Sequence, residues 1–449
     1  RSDIFPSFSA GWRISSEDFF PNDGFLTFLK IRAGYGELGA QNVGNYLYQS
    51  TFGTTSASSF GGEIVPGFAQ TAFANESLQW ETSKTVNLGA DFEFLDGKFS
   101  GSLEYYKKDI DNLLVAVPIP SSNGTSVPVT QNAGGLENSG IEFLINYSKR
   151  KGKFNFNVGF NLGTQSSTLT AVPSEFFGPS VNEGIQSVNI FREGEDPGSF
   201  YGFNILGVYD NQAEIDNDAN RMNDPNIDQL SPGDFIKEDI AGIDENGNIT
   251  GPDGVIDNND LQVLGSPVPD FTYGFNFNGS VGNLDFGLLF NGVQGNEIYN
   301  QARAFNTFFA DGNKLTDVLD RWTPENPTGE LPRATANDPG GNALPSSFFV
   351  EDGSYLRLKN LNIGYDLSDA INIKGIQNVR ISFTAQNLIT ITGYSGYDPD
   401  VASTNGARSN ENDGFFGFRP AVNSITGRGI DIRAYPNARS FLFGLDLTF

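Results

Sequence analysis

Residues 154–163 read Phe154-Asn-Phe156-Asn-Val158-Gly-Phe160-Asn-Leu162-Gly, with a large apolar residue at every even position and Asn or Gly at every odd one. A strand turns successive side chains to opposite faces, so this segment reads as a strand with one apolar face and one small, polar face. The alternation recurs in 271–281, where Phe271, Tyr273, Phe275, Phe277 and Val281 oppose Gly274, Asn276, Asn278 and Ser280. It recurs again in 86–94, in 379–385 and at the C-terminus, where Phe441, Phe443, Leu445, Leu447 and Phe449 oppose Gly444, Asp446 and Thr448. One stretch changes phase: Leu356 and Leu358 lead, then Leu361, Ile363 and Tyr365 take over, which predicts a β-bulge near Asn360. Helical periodicity is nearly absent.

Carried along the chain, this reading gives about thirteen strands, near 5–14, 26–35, 84–94, 98–108, 139–147, 153–165, 186–192, 199–208, 268–280, 284–299, 351–367, 377–388 and 436–449. The connections alternate in length. Short ones fall at 15–25, 95–97, 148–152, 193–198, 281–283 and 368–376, and long ones at 36–83, 109–138, 166–185, 209–267, 300–350 and 389–435. Soluble sandwiches follow no such rule, whereas outer-membrane barrels have short periplasmic turns, long extracellular loops and an outward apolar band edged with aromatics. The expected fold is therefore all-β, a transmembrane antiparallel β-barrel with long extracellular loops. With Phe449 at the periplasmic side the last strand descends, and an odd count makes the first descend too. Single-chain bacterial barrels are even, so the expectation is that residues 1–449 form the C-terminal part of one larger barrel.

Composition narrows the function. Lys+Arg number 28 against 54 Asp+Glu, a net charge of −26, which excludes a phosphate-tracking surface for nucleic acid. With no Cys and no His, disulfides, thiol nucleophiles, Ser–His triads and most zinc or iron sites are excluded as well. No run approaches the ~18 apolar residues of a membrane helix.

The segments FPSFSAGWRIS (5–15), LKIRAGYGELG (29–39), NESLQWETSKTVNLGADFEFLDGKFSGSLEYYKK (75–108) and FREGEDPGSFYGF (191–203) come in a recognisable order, and so do GSPVPDFTYGFNFN (265–278) and GVQGNEIYNQAR (292–303). RWTPENP (321–327), FVEDGSYLRLKNLNIGY (349–365), AQNLITITGYSGYDPD (385–400) and YPNARSFLFGLDLTF (435–449) complete the set. Together they closely resemble the C-terminal half of SusC/RagA-type TonB-dependent outer-membrane transporters of Bacteroidetes-type bacteria. The resemblance implies a plugged barrel of about twenty-two strands, of which these would be thirteen. It implies TonB-dependent uptake of oligosaccharides or peptides together with a SusD-like surface lipoprotein, and no enzymatic activity. The plug and the TonB-contacting segment would lie in an N-terminal portion, so no energy-coupling residue is carried over to this chain. Rival readings are a passive porin-like channel and a barrel that anchors a surface protein assembly.

Two groups of residues are candidate sites. In the long loop 209–267, Asp244, Asn246 and Asn248, then Asp253, Asp257 and Asp260, place oxygens at EF-hand-like spacing, a pattern that wraps Ca²⁺. The family's motif is more compact. Here Ile249 to Pro252 intervene, so the ligands are split between two turns, or Asp253, Asp257 and Asp260 act alone; the alternative is an Asx-turn-rich loop without an ion. Among outer-loop aromatics, Phe176, Phe177, Phe305, Phe308, Phe309, Phe415, Phe416 and Phe418 are candidates for contact with substrate or lid, against packing between the loops themselves. Trp12, Trp80 and Trp322 read as interface or structural residues. The acidic cluster Glu193, Glu195, Asp196 and the Gly134-Gly135 and Gly340-Gly341 pairs read as ordinary turns.

Overall fold

The computed structural model describes residues 3–21, 24–40, 48–117, 129–150, 152–177, 187–244, 247–309, 314–335, 337–370, 375–401, 428–432 and 434–449. Eleven long strands follow one another through a single antiparallel sheet: Ser7–Arg13, Leu26–Ala40, Glu81–Phe94, Phe99–Val117, Val129–Lys149, Phe154–Thr164, Phe271–Val281, Leu284–Gln294, Tyr355–Asp366, Asn378–Thr392 and Ser440–Thr448. Each pairs with the next of these eleven in sequence, and connections of two to twelve residues alternate with ones of forty or more, apart from the eleven-residue connection 118–128. The last strand runs back alongside the 367–377 turn, where the Gln377 N–H donates to the Thr448 carbonyl, so the C-terminus lies at the short-turn end.

Two of the thirteen expected strands are not in this sheet. Asn189–Phe191 and Ser199–Phe203 belong to a separate four-stranded sheet with Phe176–Phe177 and Leu261–Gly265. They show the right period because they too are pleated, but they are buried on both faces. Removing the pair leaves the count odd and turns 165–270 into one long connection, whose first residues, Ser166–Ala171, still pair with Val129–Lys149. The loop expected at 36–83 holds an unforeseen hairpin, Thr51–Phe60 with Glu63–Ala72.

Register explains the alternation. Across the sheet, Phe92, Gly101, Ile145, Phe160, Phe275, Phe290, Leu358 and Ile389 are successive partners in one row on one face. On the other face Arg32, Gly89, Glu104, Glu142, Gly163 and Thr272 form a polar row. Arg32 bridges Glu104 at 2.6 Å and Asp91 at 3.4 Å within it. Gly159 keeps this face thin, since a Cβ there would stand 2.4 Å from Asn276 Oδ1 and 2.7 Å from Asn146 Oδ1. The bulge is present: pairing with both neighbours skips Lys359, so Leu358 and Leu361 point the same way. At the tightest turn Gly282 sits at φ +59° between paired Val281 and Leu284, a left-handed position that favours glycine.

Much of the apolar face stands in the open, with Leu358 and Val379 as buried exceptions. Ile31, Leu88, Leu103, Ile141, Phe275, Ile363, Ile381 and Phe443 are all exposed. From Phe154 to Leu162 the apolar face runs over nine residues, the length that a tilted membrane-spanning strand needs, about 9–11 residues. Above it, on the same face, come charges: Lys107 bridges Glu137 at 2.7 Å and Lys84 bridges Asp111 at 2.7 Å. Below it, toward the short turns, rings abut, Phe25 on Phe94 at 4.9 Å, Phe99 on Tyr147 at 4.5 Å and Phe154 on Phe156 at 5.0 Å. That aromatic rim is what a membrane interface selects.

Candidate functional site

The hydrophobic core lies among the long loops. Val188 and Phe200 from the 165–270 connection, Tyr299, Ala304 and Phe349 from 295–354, and Ile430 from 393–439 pack into one buried cluster. Three connections distant in sequence thus close over one another at the end opposite the short turns. Backbone bridges from Phe203 to Ser346 and from Tyr299 to Ile430 join them as well, and Glu297–Tyr299 pairs with Val350–Asp352 inside the 295–354 connection. A second cluster, Tyr209, Ile215 and Leu230, anchors the middle of the longest loop. Trp322 belongs here too, its indole N–H donating to the Asp210 carbonyl at 3.1 Å, whereas Trp12 bonds Glu17 at 2.9 Å at a sheet end and Trp80 stacks on Phe5 at 5.7 Å.

Several buried charged groups inside the loop assembly are paired. Asp234, fully buried, takes both Arg333 nitrogens at 2.7 and 3.1 Å, the Asn342 amide at 2.9 Å and the Ser231 N–H at 2.9 Å. Arg221 and Asp224 form a buried pair at 2.5 Å. Lys237 donates to the Gly340 carbonyl at 3.0 Å and lies over the Phe203 ring at 4.9 Å. Burial lowers its ammonium to about 8; Arg221 acts in the same direction and Asp338, Asp234 and Asp224 oppose. Between that value and the ordinary ~10.4 the unfolded loop holds a proton that the folded loop has released, so stability rises with pH across this window. Hydrogen exchange of 234–238 is expected to slow from pH 8 to 9.5 after correction for intrinsic rates. Lys237→Met removes that dependence.

A second connection ties loop to sheet. Arg357 projects from the polar face of Tyr355–Asp366, 1% exposed, and is ion-paired with Asp398 and with Asp400 at 3.4 Å, while its Nε donates to Thr390 Oγ1 at 3.0 Å. Asp398 also accepts the Asn437 N–H at 2.9 Å. The 396–400 stretch is thereby latched between two strands and the approach to the last one.

In the acidic motif the carboxylates accept backbone N–H groups of their own turns. Asp244 accepts the Asn248 N–H at 2.8 Å, and Asp253 accepts that of Val255 at 2.9 Å. Asp257 and Asp260 cap each other's backbone in a short 3₁₀ turn. Asp260, fully buried, also accepts the Ile240 N–H at 2.9 Å, and burial pushes its carboxyl above the usual range. Asn246 lies outside the described residues. Among the described residues no three such side chains converge on one point, whereas Ca²⁺ takes six to eight oxygens. The carboxylates present accept the loop's own N–H groups. EDTA is expected to leave the loop's unfolding midpoint unchanged. A midpoint that climbs with added Ca²⁺ as mass action requires would restore the cation.

The aromatic candidates divide. Phe176 stacks on Phe191 at 4.7 Å and Phe308 packs edge-on against Phe349 at 5.8 Å, so both serve loop packing. Phe305 is half-buried in the short helical segment 301–309, which also includes Phe309. Phe177 is exposed and lies 5.8 Å from Tyr201. Phe415, Phe416 and Phe418 lie outside the described residues. Sequence reasoning missed the Arg357 latch and the Asp234–Arg333 pair; a lone Arg between Leu356 and Leu358 was the available signal for the first.

Residues 1–388 match the family model described as TonB dependent receptor-like, beta-barrel. TonB-dependent receptor P26 of Formosa agariphila is 33% identical over 458 residues, covering 100% of this chain and 42% of that protein. TonB-dependent receptor SusC of Bacteroides thetaiotaomicron is 28% identical over 464 residues, covering 100% of the chain and 40% of SusC. In fold, the structure of the RagAB peptide transporter superposes with a TM-score of 0.74 at 21% identity, covering 99% of this chain and 43% of that one. The chain spans about two fifths of the length of these relatives.

Proposed function

Because the chain belongs to the TonB-dependent receptor-like β-barrel family, we propose that it forms the C-terminal strands and outer loops of an outer-membrane importer. The importer takes up oligosaccharides or peptides under TonB control, and a SusD-like surface lipoprotein covers its outer mouth. In this reading the short turns and the C-terminus face the periplasm and the long loops face outside. The other barrel strands, the plug and the TonB-contacting segment belong to the part of the relatives' length that this chain does not span.

The observation that carries the proposal is the inversion of polarity. An apolar face is exposed along much of the sheet while the loops above it enclose the buried core. Water would not tolerate that face and lipid requires it. The opposite face, with its Arg32–Glu104 and Arg380–Asp285 pairs at 2.6 and 2.7 Å, suits a wet lumen closed by a plug. The relatives are receptors and transporters, and the function assigned is uptake without catalysis.

The test is uptake by cells of labelled oligosaccharide and peptide pools, with and without the gene and with and without TonB, alongside mass spectrometry of the detergent-purified complex. Uptake that needs both gene and TonB, with a SusD-like lipoprotein in the complex, is the expected result. A purified barrel that conducts ions as an open pore, with no TonB requirement, would replace the importer by a passive channel.

A further inference from the structure

A cleft of about 330 Å³ opens in the 295–354 loop, between the segment ending at Phe308 and the turn at 331–343. That is at the small end of the range for small-molecule sites, about 300–1,000 Å³. Its larger apolar lining residues are Phe308, Val318, Leu331 and Pro332, and Thr307, Thr335 and Asn337 add uncharged polar groups. Three cations also line it, Lys314, Arg321 and Arg333, against one carboxylate, Asp338. In a chain of net charge −26 this local excess runs against the whole.

The charges are not equally available. Arg333 is committed to buried Asp234 at 2.7 Å, and Asp338 accepts the Asn342 and Ala343 N–H groups at 2.9 and 2.8 Å. Arg321 spends one Nη1 donor on the Val318 carbonyl at 3.1 Å, and no carboxylate among the described residues reaches its guanidinium. Lys314, exposed at the rim, makes no ion pair among the described residues. A guanidinium carries five donors in a fixed fork suited to a carboxylate, so four remain.

We propose that this cleft holds the carboxylate of a small ligand with an apolar body, of the kind a peptide's C-terminal residue presents. Arg321 takes the carboxylate, Lys314 adds attraction at the rim, and Phe308, Val318, Leu331 and Pro332 receive the side chain. A uronic acid shares the carboxylate, and Thr307, Thr335 and Asn337 can meet some of its hydroxyls, but those turned toward Phe308, Val318, Leu331 and Pro332 would lack partners. The assignment rests on the importer reading for its biological meaning. The binding itself does not.

The test uses the detergent-purified full complex and calorimetric titration with three probes: N-acetyl-leucine, N-acetyl-leucinamide and galacturonic acid. N-acetyl-leucine is expected to bind at least ten-fold more tightly than either of the others. Lys314→Gln, at the exposed rim, is expected to weaken it several-fold, and Arg321→Gln ten-fold or more, with binding of the amide unchanged in both. Equal binding of acid and amide, indifference to Lys314→Gln, or galacturonic acid binding as tightly as N-acetyl-leucine would each overturn the proposal. Because no transport is measured, failure of TonB-dependent uptake would leave this result standing, and the reverse.

Discussion

Arginine in place of Phe275 is expected to cost the assembled barrel about 2–4 kcal/mol, the penalty for a cation on the lipid face near the bilayer midplane. Phe275 stands in the middle of its strand's apolar run, flanked in register by Phe160 and Phe290 and open to the surroundings. Thr272→Arg, three residues away on the opposite face, is the matched control. It joins the polar row of Glu142 and Gly163 and is expected to cost less than about 1 kcal/mol, the usual range for surface changes away from special features. Urea unfolding of the full-length protein in lipid vesicles measures both. Equal penalties would mean that neither face meets lipid, and the membrane reading would fall with them.

Arg357→Met is expected to destabilise the 393–400 segment by about 3–5 kcal/mol, because removing one partner of a buried ion pair leaves the other charged and dry. Asp398 is that other partner, nearly as buried as Arg357, whereas Asp400 is 40% exposed at its side chain and stays hydrated. Hydrogen exchange at residues 394–400 should accelerate by a hundred-fold or more. The double change Arg357→Met with Asp398→Asn should recover much of the loss, since the amide oxygen still accepts the Asn437 N–H without carrying a charge. A double variant as labile as the single one would show that Arg357 acts through packing of its stem.

Much of the architecture is legible in the sequence because a lipid-facing sheet obeys one simple rule, apolar at every second position. The bulge was visible as a phase change at Leu358 and Leu361 for the same reason. The rule overreached at Asn189–Phe191 and Ser199–Phe203, where alternation came from a small water-side sheet; period two reports a pleat and says nothing of the solvent. The oxygen spacing at Asp253, Asp257 and Asp260 was equally real, and in the structure these carboxylates accept N–H groups of the loop's own backbone, a pairing that spacing alone does not reveal. Contacts such as Arg357 with Asp398, or Asp234 with Arg333, join residues 41 and 99 apart through the fold and leave no local trace. The cationic cleft was hidden likewise, since Lys314, Arg321 and Arg333 are unremarkable until the loop folds.

The inverted placement of the core also sets what each part of the chain can tolerate over time. A fluid hydrocarbon neighbour has no fixed shape, so Phe160, Phe275 or Ile363 need only remain greasy, and Leu, Ile, Val and Phe are interchangeable there. Phe200, Tyr299 and Phe349 face a solid-like interior in which a single methylene is felt. The sheet should therefore drift quickly through a small alphabet, and the loop core slowly through almost none. In this molecule the loops, which elsewhere are the freest part of a sequence, hold the positions where shape is inherited.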